Sequence, residues 1–210
     1  PFNRERALQI LDEAGWKINP ATHIRERTGR KTKEYPDGIE RLQVTIVTSQ
    51  WPDLVEVAQY IKKAWQEIGV DTIIQTAPIT ELEHEYIRPR KYDILLFGES
   101  FGHDSDPFAF WHSSQIKHPG LNVALYSNKA ADALLESARR THDQADIAKK
   151  YKEFQQQIIA DHPAIFLYTP RYFFVMNNDI QGVSVKNITR PSERFYTEDA
   201  WFIHTDWKLK

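Results

Sequence analysis

Apolar residues recur at helical spacing from Arg4 to Ala14, with Ala7, Leu8, Leu11 and Ala14 on one face. Asn3 stands where an N-cap belongs, and Gly15 follows where a left-handed residue ends a helix. From Pro20 to Gly38 the pattern lapses. Arg25, Arg27, Arg30, Lys31 and Lys33 crowd this stretch, with Glu26 and Glu34 diluting their charge, which reads as a solvated loop. Leu42 to Thr48 alternates apolar and polar residues and predicts a half-buried strand. Pro52 opens a helix to Ile68 on which Leu54, Val57, Ala58, Ile61, Trp65 and Ile68 keep the period, and Gly69 ends it. Val70 to Thr76 is a further strand. Thr80-Glu-Leu-Glu83 fits a capping box, with Pro89 as a stop. The nearly continuous apolar run Tyr92 to Phe97 predicts a strand buried on both faces.

Strands alternating with helices over residues 42–97 imply an α/β layer with parallel neighbours. Beyond it, a short helix is predicted from Pro107, then helices over Lys129 to Arg140 and Ala145 to Ala160. Leu134, Leu135 and Ala138 face inward on the first, and Ile147, Tyr151, Phe154 and Ile158 on the second. Ala164 to Tyr168 and Tyr172 to Met176 predict two strands joined at Thr169-Pro-Arg171.

Composition narrows the function. Among 210 residues, 27 Lys and Arg against 29 Asp and Glu leave a net charge of −2, so no global field draws the chain to nucleic acid or an anionic membrane. Without Cys there is no disulfide framework, thiolate metal site or cysteine nucleophile. The apolar runs are far shorter than the roughly 20 residues of a membrane span.

Candidate chemistry is sparse. His103, Asp104 and Asp106, with His112 and His118 downstream, lack any zinc-ligand spacing. Asp106 reads as the cap of the Pro107 helix, and the histidines as surface residues. No Gly-x-Ser-x-Gly elbow and no Gly-rich phosphate loop occur. Glu81, Glu83 and Glu85 read as an exposed helical face. What remains is the polar, Gly-containing segment Gly98 to Asp106 at the carboxyl end of a strand, where open α/β sheets hold ligands. Phe101, Phe108, Phe110 and Trp111 crowd behind it, as core packing or as ligand lining.

Six blocks, in order, carry a family resemblance. They are Ala7-Leu-Gln-Ile-Leu-Asp-Glu-Ala-Gly-Trp16, Val57 to Val70, Tyr92-Asp-Ile-Leu-Leu-Phe-Gly98 with Asp106-Pro107, Leu121 to Asn128 with Asp132 to Leu135, Tyr151 to Gln156, and Pro163 to Tyr168. Together they resemble the C-terminal half of extracytoplasmic solute-binding proteins of the oligopeptide and dipeptide class. The resemblance implies an α/β fold, one lobe of a type II periplasmic-binding-protein-like architecture with a mixed sheet flanked by helices. Residues 1–190 would form the ligand-binding lobe, and 191–210 a tail returning towards a second, N-terminal lobe. It implies a non-enzyme without cofactor or metal: the substrate-binding component of an ABC import system, capturing peptides between two lobes and delivering them to a membrane permease. Nickel chelates, sugars and opines are the alternative ligands within the class, and a hydrolase on an α/β framework is the alternative outside it. A monomer is implied, periplasmic or tethered outside the membrane, with a signal peptide or lipid anchor in a preceding segment.

Ligand-binding residues on this resemblance are Gly98, Glu99, Ser100, Phe101, Gly102, His103, Asp104 and Trp111. Peptide-binding relatives hold the ligand's amino group with an Asp three residues before the acidic residue of the Asp/Glu-Pro pair. Here His103 occupies that place and Asp104 lies one residue closer to Asp106. Either Asp104 takes the amine role through a one-residue shift, or His103 faces the pocket and the preference for a cation is lost.

Overall fold

In the computed structural model, which describes residues 3–100, 106–184 and 188–205, the first helix, α1, runs Arg4–Glu13. Asn3 Oδ1 accepts from the Arg6 N–H at 2.8 Å, and Gly15 leaves the helix at φ +84°, so both punctuation marks act as the sequence predicts. The basic stretch that follows is a solvated loop only in part. Arg30, Lys31 and Lys33 are exposed and carry no regular structure, whereas β2 (Arg25–Thr28) pairs with β1 (Lys17–Ile18) before the stretch and β3 (Ile39–Arg41) after it in a small antiparallel sheet, in the order β1-β2-β3. Arg25, on β2, is only 2% exposed. Its guanidinium donates to Asp12 Oδ1 at 2.8 Å and to Trp16 O at 2.6 Å through one nitrogen, and to Ile68 O at 2.8 Å through Nε. A single charged side chain therefore ties the end of the first helix to the end of the second.

Next come β4 (Gln43–Ser49), α2 (Pro52–Gln66), β5 (Asp71–Ala77), the single turn α3 (Ile79–Glu81) widening into a π-helical segment over Leu82–Ile87, and β6 (Ile94–Leu96). These strands form a parallel sheet in the order β5-β4-β6, with Ser49 beside Ala77 and Thr48 beside Leu96. The burial differs from the expectation. β4 is central, and Ile46, Val47, Thr48 and Ser49 are all at most 2% exposed, whereas β6 lies at one side of this sheet. The reason is that helices cover both faces. Ile46 packs with Ala58 of α2 and Leu96, while Val47 packs with Ala77 and Leu82 of the π-helical segment. Burying Ile46 fully contributes about 2–3 kcal/mol. Thr48 is admitted because its hydroxyl donates to Leu96 O at 2.8 Å.

The capping box at Thr80 does not form. Pro78 is the N-cap of α3, and no side chain caps that end. Gly69 sits at φ +86° where a Cβ would lie 2.4 Å from the Ile18 side chain and 2.8 Å from that of Arg25. Glycine is needed there both for the backbone and for the approach of the small sheet.

The chain divides into two compact units, 1–98 with 117–119 and 99–116 with 120–210. The second unit is built on α4 (Phe108–Trp111), α5 (Lys129–Arg140) and α6 (Gln144–Asp161). Asn128 Oδ1 accepts from the Ala130 and Ala131 N–H groups, and Asp143 Oδ1 from Ala145 N–H, which fixes both helix starts. Leu135 of α5 meets Phe154 and Ile158 of α6 in a core closed by Trp111 and Tyr126. Asn122, fully buried, donates through its amide to the carbonyls of Trp111, His112 and Tyr126 at 2.9–3.2 Å and accepts from Tyr126 N–H at 3.1 Å.

The two strands expected over residues 164–168 and 172–176 are absent. These segments carry no regular structure, and Phe166, Phe173 and Val175 are 68%, 79% and 91% exposed. Their apolar pattern suits a strand, but a strand needs a hydrogen-bonding neighbour, and none pairs with them among the described residues. A short ribbon follows instead, β7 (Ile180–Gln181) antiparallel to β8 (Phe202–Ile203). Among the described residues no helix is long and apolar enough to cross a membrane.

The contact with Arg25 gives Asp12 a pH signature. The Arg25 hydrogen bond, reinforced by the charges of Arg25 and Lys17, holds its carboxyl below the ordinary value of 3.8. The folded form is thus the stronger acid, and the unfolded chain takes up the proton first as the pH falls. This contribution is complete above the ordinary carboxylate range and is lost as the pH drops through the lower folded-state value. Thermal melts from pH 6 to pH 2 should show a shallower acid loss in Asp12→Asn than in the wild type. Superimposable losses would mean that Asp12 and Arg25 are not coupled.

Candidate ligand-binding site

Parallel sheets expose their ligand-facing loops where the strands end, because each connection there is free to diverge from its neighbours. In the first unit this edge is made by residues 49–51 at the end of β4, 77–79 at the end of β5 and 97–98 after β6, held in line by the strand register. Gln50 N–H donates to Ala77 O at 3.2 Å, which locks the first two loops together. Trp51, Ile79 and Phe97 are 64%, 44% and 39% exposed along it.

The predicted ligand segment leaves this edge. Gly98 has open space where a Cβ would stand, with no atom of the described residues within 4 Å. Among the described residues, the peptide groups of Gly98, Glu99 and Ser100 find no backbone partner. Glu99 and Ser100 are exposed by surface area, while desolvation by the chain around the Glu99 carboxyl pushes it up to about 7. Phe101, Gly102, His103 and Asp104 lie outside the described residues.

Around Asp106 the chain is fixed. Its carboxylate accepts from Phe108 N–H at 3.0 Å and from Arg139 Nε at 2.7 Å, so it steadies the start of α4, although the cap position itself falls on Pro107 and not on Asp106 as expected. Trp111 is not displayed to a ligand. It is 7% exposed, edge-on to Tyr126 with ring centres 6.3 Å apart, and belongs to the core of the second unit. Phe108 and Phe110 are partly buried against the same core.

His112 also departs from expectation, being buried at 8% exposure rather than on the surface. It stacks on Phe108 at 4.1 Å, and the Arg139 guanidinium lies 4.0 Å over that same ring. Nδ1 accepts from Ser114 N–H at 3.1 Å, while Nε2 lies 3.4 Å from Glu136 and 3.9 Å from Asp132. The Ser113 hydroxyl donates to Asp132 at 2.5 Å, so its partner is a carboxylate and not the imidazole. The cluster anchors the turn between α4 and α5 rather than arming a nucleophile. Among the described residues no group of three His, Asp or Glu is placed to hold a metal.

Residues 1–120 match the family model of bacterial extracellular solute-binding proteins, family 5, middle region. The chain belongs to that family. Oligopeptide-binding protein AppA of Bacillus subtilis is 28% identical over 204 residues, which is 96% of this chain and 35% of that protein. The solved structure of AppA in complex with a nonapeptide superposes with a TM-score of 0.78, covering 97% of this chain and 38% of that one. NikZ of Campylobacter jejuni, in complex with Ni(L-His), gives 0.73 at 22% identity, over 95% of this chain and 39% of its own. This family-5 chain thus has the α/β, type II binding-protein fold, and it spans little more than a third of the length of the relatives it matches. AppA is named for binding oligopeptides, not for a reaction.

The strand-end segment was legible in the sequence. Trp51 as an exposed residue was not, since Ser49-Gln-Trp-Pro52 reads only as a helix start. The signal that finds it is the Trp itself, at a position where Ser, Thr, Asp or Asn is favoured.

Proposed function

We propose that this chain is part of the substrate-binding component of an ABC import system, that its ligand is a peptide, and that it works outside the cytoplasmic membrane without catalysing a reaction. The observation that carries this reading is the match to peptide-bound AppA over nearly the whole chain, together with a ligand segment leaving the carboxyl edge of a parallel sheet. Gly98 to Gly102 supply main-chain donors and acceptors, which recognise any peptide backbone irrespective of its side chains. Asp104 receives the ligand's ammonium, a charge-assisted bond worth about 1.5–3 kcal/mol. The NikZ likeness, at 22% identity, speaks for the fold and not for a nickel ligand.

The test is calorimetric titration of the full-length protein with free and N-acetylated peptides. Asp104→Asn should weaken binding of free peptides roughly tenfold or more and leave acetylated ones nearly unchanged. A wild type that prefers acetylated peptides, or an effect confined to His103→Ala, would remove the ammonium assignment.

A further inference from the structure

Trp51 is a residue that neither the helix nor the core explains. It is the N-cap of α2, where it makes no side-chain capping bond, although Pro52 behind it sets up an otherwise regular helix start. A short polar side chain there would satisfy one of the free N–H groups of the first turn. Burial does not compensate, since 64% of the residue is exposed. Its backbone is nonetheless held firmly: Trp51 O accepts from Leu54 and Val55 N–H at 3.0 Å, and Trp51 N–H reaches Ser49 Oγ at 3.3 Å. The indole is thus presented from a rigid base.

Its neighbours share the property. Ile79 begins the turn after β5, Phe97 follows β6, and both are exposed. β4 lies between β5 and β6, so the three residues follow neighbouring strands, whose backbones are about 5 Å apart. Phe97 directly precedes Gly98, so this apolar row is continuous in sequence with the segment proposed to pair with a peptide backbone. Successive side chains of an extended peptide point to opposite sides, and a backbone held at Gly98 turns alternate side chains towards the sheet edge.

We infer that Trp51, with Ile79 and Phe97, forms an apolar subsite that takes an aromatic or large aliphatic side chain of the bound peptide, and that Trp51 is the residue setting this preference. The inference rests on the peptide-receptor reading above. It makes the receptor tolerant of peptide backbones in general but selective at one side chain. An exposed indole offers a flat apolar face at little conformational cost, because only two torsions need to be fixed.

The experiment is titration of the full-length protein, as wild type, Trp51→Ser and Trp51→Phe, with free peptides of equal length. The set is a polar Ser- and Ala-based nonapeptide and its variants carrying one Phe at successive positions. Wild type should bind at least one Phe variant about tenfold more tightly than the polar parent. Trp51→Ser should abolish that difference, with a loss on the Phe variant much larger than any loss on the polar parent, and Trp51→Phe should retain most of it. Melting temperature separates folding from recognition, because Trp51→Ser restores a capping side chain and should not lower it. A Phe preference that survives in Trp51→Ser, or an equal loss for all peptides, overturns the subsite while leaving the receptor reading intact. A wild type that binds none of the peptides overturns both.

Discussion

Asn122→Asp should lower the unfolding free energy by about 3 kcal/mol or more at neutral pH. The substitution keeps the shape of the side chain and the oxygen that accepts from Tyr126 N–H. It replaces two N–H donors, shared among three carbonyls, with an oxygen facing the same three carbonyls. At 0% exposure neither water nor rearrangement relieves this. The three carbonyls come from the end of α4, the following turn and Tyr126, so the loss falls on the connection that carries the chain into α5. Asn122→Ala should cost less, since it strands the carbonyls without adding a charge. The two variants differ in pH dependence: the buried carboxyl titrates above its ordinary range, so Asn122→Asp should regain stability on acidification, opposite in sign to the Asp12 contribution. Urea denaturation at pH 7 and pH 5 measures this. A loss below about 1 kcal/mol would show that water reaches the site.

Arg25→Met comes next, at about 2 kcal/mol. Asp12 is half exposed and returns to water without penalty, so no charge is stranded. The cost lies in Trp16 O and Ile68 O, which lose their donor while Met still covers them. It is partly offset because the guanidinium no longer has to be desolvated. Arg25→Lys should fall between wild type and Met, as an ammonium reaches one carbonyl but lacks the fork to serve both. An unchanged denaturation midpoint in Arg25→Met would mean that the small sheet is held by its backbone bonds alone.

These two residues mark the limit of what the sequence discloses. The helices α1, α2, α5 and α6 were readable because local signals agree: a period of apolar residues, and Asn3, Pro52, Asn128 or Asp143 at the start. The parallel sheet was readable from β-branched runs between those helices. Arg25 was not, because what buries it comes from 9 to 43 residues away, and a strand reading Arg-Glu-Arg-Thr has no apolar alternation to announce it. Residues 164–176 fail in the opposite sense, having the pattern of strands without a neighbour to pair with. The proposed site was legible as a place to look, since a polar segment after a strand needs only topology. Its side chains were less so: Trp111 went to the core, and Trp51 hid in a helix start.

The central position of β4 has a consequence for how the chain is made. Its partners lie far downstream, Asp71 at 28 residues from Gln43 and Leu96 at 48 from Thr48. At a synthesis rate of about 5–20 residues per second, the ribosome needs roughly 2–10 s to supply the second of them. Throughout that interval Val44-Thr-Ile-Val-Thr48, rich in β-branched residues, has left the peptidyl-transferase centre with one or both of its edges vacant. Such an edge templates pairing with other chains. The strand that organises the finished sheet is thus also a point at which the nascent chain is open to misassembly, and one that a holdase would protect.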